Sequence, residues 1–254
     1  MNVTDDDGIR TVTFDRPEVM NAFTTDTAEE LAEVLADADP AELDAIVLTG
    51  EGEAFSAGGD VQSMAAREET PEEAYERIGE TFGRVVEEAL SARVPIVAKV
   101  NGDAVGAGLA IAAVSDFAYA VESATFSCAF VRVGLIPDTG GTFLLPRLVG
   151  LRTAKRLAFT GEFFSAGEAA ELGLINEAVP DDELDSAVAD LLDTLRKRPT
   201  KTIGLAKRAI HENLGNGWQE AMDYENLTQS LAYATPEHEE GVAAFLEGRD
   251  PEFE

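Results

Sequence analysis

The sequence predicts an α/β fold with a largely parallel sheet, and three observations support this prediction. Short continuous apolar runs, which are typical of strands buried on both faces, occur at 45–50 (AIVLTG) and 94–102 (VPIVAKVNG). Amphipathic stretches separate these runs, as helices separate parallel strands. The 254 residues are 45% hydrophobic, which is ample for a buried core. We therefore expect one large domain, or one domain with a small appendage.

Strands and helices alternate along the first part of the chain. Residues 9–14 (IRTVTF) alternate like a strand with one covered face, whereas the following segment 15–23 (DRPEVMNAF) indicates a turn. An amphipathic helix is predicted over 24–38. The other predicted elements are helices at 71–92 and 108–114, strands at the two apolar runs, and a strand at 116–121.

The last part of the chain differs, because from about residue 183 it indicates helices only. The predicted helices lie at 182–197, 199–214, 217–233 and 236–248. Their apolar positions would cover only one side of each helix. We expect this helical region to pack on the core or on a neighbouring subunit.

The charge is strongly negative: 49 acidic residues face 19 basic ones, giving a formal net charge of −30. Such a surface repels nucleic acid and anionic membranes, so neither is an expected partner. The acidic residues are spread along the whole chain rather than collected in a tail. This composition resembles that of salt-adapted proteins, whose self-repulsion is screened at high ionic strength.

Cysteine and histidine are too few for most metal sites. Cys128 is alone, which excludes an internal disulfide and a multi-cysteine site and fits a reducing compartment. His211 and His238 are too far apart in sequence for a local metal pair. The N-terminus lacks the pattern of a signal peptide, and no apolar run is long enough to span a bilayer. A soluble cytoplasmic protein without a bound metal is expected.

Two glycine-rich loops each follow a predicted buried strand. They are 54–60 (AFSAGGD) and 101–113 (NGDAVGAGLAIAA), and the second runs into a nearly wholly apolar helix beginning near Gly106. The free N–H groups and the positive dipole end at that helix start favour negative charge. If the loops lie side by side, each can direct one backbone N–H at the same oxygen and form an oxyanion hole. The alternative is that the glycines only allow tight turns and close packing.

Other glycine and serine motifs fit this sequence less well. The dinucleotide pattern GxGxxG fails at its third glycine, where Ile111 stands, and no phosphate-binding loop ending in GK[ST] occurs. AFSAG nearly matches the serine-hydrolase pattern GxSxG, with Ala54 in place of the first glycine. Ser56 would then need His211 or His238, and both lie in the helical region.

A single carboxylate, Asp138, stands in the stretch GLIPDTGGT at 134–142. Pro137 fixes its own backbone on one side, and Gly140 and Gly141 permit unusual dihedral angles on the other. The chain is therefore expected to hold one particular turn around one acid. The alternative is an Asp that caps the following segment.

Taken together, these motifs resemble the crotonase, or enoyl-CoA hydratase/isomerase, superfamily. The motifs are, in order, RPEVMNA, AFSAGGD, NGDAVGAGLAIA, FSCAFVRVGLIPDTGGT, LPRLVGLRTAKRLAFTGE, ELGLINEAV and GVAAFLEGRDPEF. The resemblance covers essentially the whole chain. It implies an α/β crotonase-like spiral of β-β-α turns over 1–195 and a C-terminal helical oligomerisation region over 196–254. It also implies homotrimers or dimers of trimers.

The resemblance implies acyl-CoA thioesters as substrates, with coenzyme A as part of the substrate and no separate cofactor. The two amides that stabilise the enolate would be those of Gly59 and Ala107. The other implied contacts are Gly106, Phe130, Asp60, Val61 and Gln62 along the acyl group, and Val19, Met20 and Ala22 along the CoA moiety. Gln62 stands where related proteins often carry a basic residue, so the CoA phosphates would rely on other contacts.

The resemblance also indicates which reaction to expect. Hydratases of the superfamily use two glutamates, and those positions are Ala110 and Phe130 here, which argues against ordinary hydration. Isomerases related to phenylacetate degradation carry a catalytic Asp after Ile-Pro, as Asp138 does here. Dehalogenases of the superfamily place a nucleophilic Asp on the same turn. Isomerisation of an enoyl-CoA or an epoxyphenylacetyl-CoA-type substrate, in fatty-acid or phenylacetate metabolism, is therefore expected.

Alternatives to isomerisation are hydration of enoyl-CoA and a non-catalytic acyl-CoA-binding role. For the isomerase, one carboxylate would move a proton between two carbons of the acyl chain. The neighbours Phe130, Leu135, Ile136 and Phe143 are expected to desolvate Asp138 and raise its pKa, which favours proton transfer.

Overall fold

A computed structural model describes residues 1–253, and its larger sheet has six strands. In chain-order numbering these are β1 (Asn2–Asp6), β2 (Ile9–Phe14), β3 (Ala45–Gly50), β5 (Ile96–Val100), β7 (Phe117–Val121) and β10 (Glu177–Val179). They lie in the order β1-β2-β3-β5-β7-β10. Only the β1–β2 pair is antiparallel among these six, and the rest pair in parallel. The four strands predicted from the sequence are all in this sheet.

A second sheet of four short strands follows the first. It consists of β4 (Ala54–Ser56), β6 (Asp103–Val105), β8 (Thr125–Ser127) and β9 (Phe163–Ser165), in that order. β4, β6 and β8 each come directly after β3, β5 and β7 of the larger sheet. The chain therefore repeats a strand in one sheet, a strand in the other and then helical structure, which confirms the predicted spiral of β-β-α turns.

Helices complete the fold, and every predicted helix is present. They are α1 (Thr25–Ala36), α2 (Val61–Ala65), α3 (Pro71–Ile78), α4 (Arg84–Ser91), α5 (Ala107–Val114), α6 (Gly141–Leu148), α7 (Leu151–Thr160), α8 (Ala166–Glu171), α9 (Leu184–Arg196), α10 (Thr200–Glu212), α11 (Trp218–Ala232) and α12 (Pro236–Glu247). The last four form the predicted helical region. The division between residues 195 and 196 stays a prediction.

The predicted helix at 71–92 is interrupted by a π-helical turn over Gly79–Gly83 that joins α3 to α4. Two glycines weaken helix formation there, and the Thr81 hydroxyl donates to the carbonyl of Arg77 at 2.7 Å. Such turns insert one residue and redirect the side chains that follow. Phe82 lies within this turn and lines the cavity described below.

Helix α5 is buried on all sides, with each of its eight residues in the core. A side chain at Gly108 would run into the carbonyl oxygen of Ser56, so this helix lies directly against strand β4. The close approach fixes the N-terminal end of α5 beside the loop that follows β4. This contact determines where the candidate site forms.

Helix α10 is joined to the core by a buried ion pair. The ammonium group of Lys207 lies 2.7 Å from Asp116 and donates to the carbonyl of Val94 at 3.3 Å. Burial lowers the pKa of Lys207, and the Asp116 carboxylate opposes that shift. The same carboxylate accepts the Ile96 N–H at 2.7 Å. The pair thus connects the helical region to the edge of the central strands.

Large apolar side chains remain exposed on α11 and α12. Trp218 is 73% exposed, Phe245 85% and Leu246 78%. No helix within residues 1–253 combines the length and the apolar character that crossing a membrane requires.

Replacing Lys207 with Met should destabilise the protein strongly, because the Asp116 carboxylate, only 16% exposed, would lose its cation. We expect the free energy of unfolding in urea to fall by about 3 kcal/mol. Arg208→Ala, an exposed change on the same helix, should alter it by less than about 0.5 kcal/mol. Equal stability of the two variants would show that the ion pair does not hold α10 to the core.

Candidate active site

The N–H group of Gly59 points away from Phe23, with which Gly59 forms a single parallel β-bridge. Phe23 donates its N–H to the carbonyl of Gly58 at 2.7 Å, and Asp60 donates to the carbonyl of Phe23 at 2.8 Å. In a trans peptide the C=O and N–H groups point in opposite directions. Because the C=O of the Gly58–Gly59 peptide points at Phe23, the Gly59 N–H points to the other side.

The amide of Ala107 lies at the open end of a buried helix. The carbonyl of Gly106 accepts the Ala110 N–H at 3.1 Å, so the N–H of the same peptide, which belongs to Ala107, points out of the N-terminus of α5. The positive end of the helix dipole adds to its attraction for negative charge. Gly106 has φ +54°, and its own N–H donates to Ser127 at 2.8 Å.

The two loops touch at Gly58, which confirms that they lie side by side. A Cβ built on Gly58 would stand 2.6 Å from the carbonyl oxygen of Val105 and 3.2 Å from the nitrogen of Ala107. Gly58 also has φ +91°, a conformation that glycine adopts without strain. A glycine is therefore required here on both steric and backbone grounds.

The amides of Gly59 and Ala107 open into one cavity of about 260 Å³. Its lining is Ala57, Gly59, Val61, Met64, Phe82, Val105, Gly106, Ala107, Ala129, Phe130, Arg132, Val133, Leu135 and Asp138. Two charged residues, Arg132 and Asp138, occur in this lining, and the other members are apolar or glycine. An apolar enclosure strengthens electrostatic interactions inside it.

Asp138 does not cap the helix that follows it. Helix α6 begins at Gly141 with Gly140 as its N-cap and without a side-chain cap. The carboxyl group of Asp138 instead accepts the hydroxyl of Thr139 at 3.0 Å, while its carbonyl accepts the Gly141 N–H at 2.8 Å. The turn thus leaves the carboxyl group directed into the cavity rather than at the helix.

Burial raises the pKa of Asp138 above the ordinary value for an aspartic acid. The hydrogen bond from Thr139, the one from the backbone N–H of Asp138 itself and the positive charge of Arg77 oppose this shift, because each favours the ionised form. Arg77 is itself held by Glu69 in two hydrogen bonds of 2.6 and 2.8 Å. A carboxyl group with a raised pKa in an apolar cavity is suited to accept and return a proton.

The acyl-contact residues expected from the resemblance divide into two groups. Val61, Gly106 and Phe130 line the cavity. Asp60 and Gln62 do not: the Asp60 carboxylate binds Arg16 at 2.9 Å and caps α2, and Gln62 is exposed. Hydrogen bonds from the α2 amide and Arg16 hold the pKa of Asp60 below its usual range.

The turn over residues 15–23 packs on the glycine-rich loop at 54–60. Met20 and Asn21 have φ of +51° and +55°, and the Met20 carbonyl accepts the Ala57 N–H at 2.8 Å. The buried Asn21 amide donates to Glu51 at 2.9 Å and Ala54 at 2.7 Å. Sequence reasoning missed Asn21, although an Asn within a predicted turn is a known signal for positive φ.

The three residues expected along CoA lie in this same turn. Val19 is half-buried, Met20 is 56% exposed and Ala22 is buried. Met20 is thus the one of the three with most of its side chain available at the surface.

The predicted desolvating neighbours of Asp138 are only partly involved. Phe130 and Leu135 line the cavity. Ile136 is 73% exposed, and Phe143 lies beneath the guanidinium of Arg147 at 3.8 Å, so neither belongs to the lining. The Phe82 ring, brought in by the π-helical turn, takes part in their place.

The structure gives the serine-hydrolase alternative no support. Ser56 is fully buried, donating to the carbonyl of Asn21 at 2.9 Å and accepting the Gly58 N–H at 3.1 Å. Nδ1 of His211 hydrogen-bonds the Leu90 carbonyl at 2.8 Å. Ser56, in β4, lies against the N-terminal end of α5, and His211 lines a cleft at the C-terminal end of the same helix. The length of this helix, about 12 Å, therefore lies between them.

Within residues 1–253, no cluster of His, Cys, Asp or Glu is suited to a metal ion.

Comparisons by sequence profile, by sequence identity and by structure all match this chain to one family of proteins. The sequence profile described as enoyl-CoA hydratase/isomerase matches residues 4–254. The chain is 38% identical, over 97% of its length and 95% of the relative, to a Rhodobacter capsulatus protein named "Probable enoyl-CoA hydratase". It is 36% identical, again over 97% and 95%, to 1,2-epoxyphenylacetyl-CoA isomerase of Escherichia coli K12. A crystal structure of enoyl-CoA hydratase from Mycobacterium smegmatis superposes with a TM-score of 0.92 at 30% identity, covering 99% of this chain and 98% of that one.

Replacing Gly58 with Ala should separate the two loops, because the new methyl group would collide with the Val105 carbonyl. Loss of one oxyanion donor costs on the order of 100- to 1000-fold in turnover, and we expect a fall of that size in kcat on the best thioester substrate. Gly248→Ala is a matched control, since Gly248 also has positive φ but nothing lies near its added methyl group. A Gly58→Ala variant with unchanged kcat would mean that this contact does not set the amide positions.

Proposed function

The chain belongs to the enoyl-CoA hydratase/isomerase family, and from that premise we propose that it isomerises acyl-CoA thioesters with Asp138 as its single base. One observation carries the proposal: Asp138 is the one carboxylate among the described residues that line the cavity containing the Gly59 and Ala107 amides. A shift of a double bond requires one group that removes a proton from one carbon and returns it to another. A single carboxylate can do both.

In the proposed reaction the thioester oxygen accepts hydrogen bonds from Gly59 and Ala107. The Asp138 carboxylate removes a proton from the acyl chain, the electron pair of the broken C–H bond moves into the thioester, and an enolate forms. The two amides and the dipole of α5 stabilise its negative charge. The carboxyl group then returns the proton to a different carbon, so that the double bond has moved and the base is regenerated.

Hydration is the second candidate, because the R. capsulatus relative at 38% identity carries a hydratase name. Adding water requires a base for the water and an acid for the carbon. The two positions at which the superfamily resemblance places glutamates are Ala110, buried in α5, and Phe130 in the cavity lining. Asp138 alone would have to perform both proton transfers through water, so isomerisation is favoured.

The cavity lining supports an apolar acyl group. Phe82 and Phe130 provide aromatic surface, and Val61, Met64 and Leu135 provide aliphatic surface. An enoyl chain or an aromatic ring of the kind named in the E. coli relative, 1,2-epoxyphenylacetyl-CoA isomerase, would fit this chemistry. The CoA part would extend past the exposed Met20, alongside Val19 and Ala22.

The working form is proposed to be a homo-oligomer in a saline medium. Exposed aromatic and aliphatic residues on α11 and α12 form an unpaired apolar surface that a second copy of the chain would cover. The net charge of −30 favours folding and association at high ionic strength, where repulsion is screened. Assays are therefore best made in high salt.

Absorbance of the conjugated thioester tests the function. A 3-enoyl-CoA should gain conjugation and crotonyl-CoA should keep it, whereas loss of the crotonyl signal would establish hydration. Asp138→Asn should lower kcat by about 100- to 10,000-fold and leave CoA-ester binding nearly unchanged, because only the proton transfer is removed. Asp182→Asn, at an exposed carboxylate outside the cavity, is the control. Full activity of Asp138→Asn would refute the assignment, and binding without turnover would favour a non-catalytic role.

Light scattering tests the assembly. The wild-type protein should have the mass of three or six copies of the 27.0 kDa chain. Phe245→Asp, which introduces a charge where the ring is 85% exposed, should yield smaller species if α12 lies in an interface. Glu239→Gln, an exposed change in the first turn of the same helix, should leave the mass unchanged. A wild-type monomer would contradict the proposal.

A further inference from the structure

The two oxygens of the Asp138 carboxyl group have different surroundings. Oδ1 accepts the Thr139 hydroxyl at 3.0 Å. Within residues 1–253, no other residue donates a hydrogen bond to Oδ2. Oδ2 is also not one of the polar atoms that are both fully buried and without a hydrogen-bond partner. The backbone N–H of Asp138 itself also bonds this carboxyl group. Since Asp138 lines the cavity and no other residue bonds Oδ2, Oδ2 is the oxygen left for a bound acyl group.

Thr139 adopts an unusual backbone conformation to make this hydrogen bond. It has φ +52° and is only 5% exposed, and Gly140 next to it has φ +76°. A β-branched residue in the left-handed region is strained by about 1–3 kcal/mol and persists only when its surroundings hold it there. Glycine or asparagine would adopt this φ at lower cost. Thr139 therefore contributes something that a simple turn residue would not.

Among the described residues, the Thr139 hydroxyl is the one group of another residue that hydrogen-bonds the Asp138 carboxyl group, and the nearby charged groups do not. Arg77 on α3 acts on the carboxyl group through its charge, and Arg132 lines the cavity with its guanidinium carbon 4.6 Å above the ring of Phe163. The guanidinium group of Arg147 on α6 donates a hydrogen bond of 2.7 Å to a main-chain carbonyl of its own helix. The nearby carboxylate of Asp60 is held by an arginine and the α2 amide.

On the premise of the proposed isomerase function, we propose that Thr139 is a positioning residue. Its hydroxyl fixes Oδ1 of Asp138, so that Oδ2 is the oxygen that carries the proton. In the first step the substrate C–H bond breaks, an Oδ2–H bond forms and the electron pair passes to the enolate. In the second step the Oδ2–H bond breaks and a new C–H bond forms at another carbon. Thr139 stays bonded to Oδ1 throughout and exchanges no proton with the substrate.

Thr139→Val removes the hydroxyl and keeps the shape, and Thr139→Ser keeps the hydroxyl. We expect kcat of the valine variant to fall about 10- to 100-fold with KM changed less than about twofold, as for loss of a hydrogen bond to a charged group. The acid limb of its kcat/KM profile should move to higher pH, because the lost bond favoured the ionised form of Asp138. The serine variant should recover both kcat and the pH profile.

Thr139→Gly separates positioning from strain. It accepts the positive φ and lacks the hydroxyl, so it should fold at least as stably as wild type and still show the low kcat and shifted acid limb of the valine variant. Wild-type kcat and pH profile in both the valine and glycine variants would overturn the inference, as would a serine variant as impaired as valine. If Asp138→Asn were itself active, the proposed function would fail; if it is inactive while the valine variant matches wild type, only the role of Thr139 fails.

Discussion

The site depends on one close contact, where the Cα of Gly58 lies against the main chain of Val105 and Ala107. Strands β4 and β6 pair in parallel, so the loops that follow them leave the second sheet at the same edge. Without a side chain at Gly58, the two loops approach until the amides of Gly59 and Ala107 open into one cavity. If the two amides act as donors to the substrate as proposed, the fold fixes both before binding, so no reorganisation would be needed during the reaction.

Electrostatic balance at Asp138 follows from the same geometry. The apolar lining favours the neutral acid, while Thr139 and Arg77 favour the carboxylate. A base that is too strongly stabilised as an anion would not accept a proton, and one that is fully neutral could not remove one. Burial is the largest of these influences, so the pKa of Asp138 is raised. In the proposed reaction, the positive end of α5 would stabilise negative charge on the substrate rather than on the base.

The sequence predicted the long elements, because apolar runs are strong local signals. The glycine patterns left the meeting of the two loops open beside simple tight turns, and the family resemblance implied it. The sequence did not predict the three-residue strands, which are too short to show a period of two. The β1–β2 hairpin was missed although Asp7-Gly8, with φ of +46° and +76°, is a standard hairpin turn. The Arg16–Asp60 pair could not be predicted, since its members are 44 positions apart and only the fold brings them together.

The same scaffold is shared with relatives named hydratases and isomerases, so the fold does not choose the reaction. The main-chain amides would stabilise an enolate in either case. The choice would lie with the side chains near the two amides, and Ala110 in α5 and Phe130 in the cavity lining offer neither acid nor base. With Asp138 as the one carboxylate in the described lining, a proton taken from the substrate has one group from which to return. Return of that proton to a different carbon would complete the isomerisation proposed above.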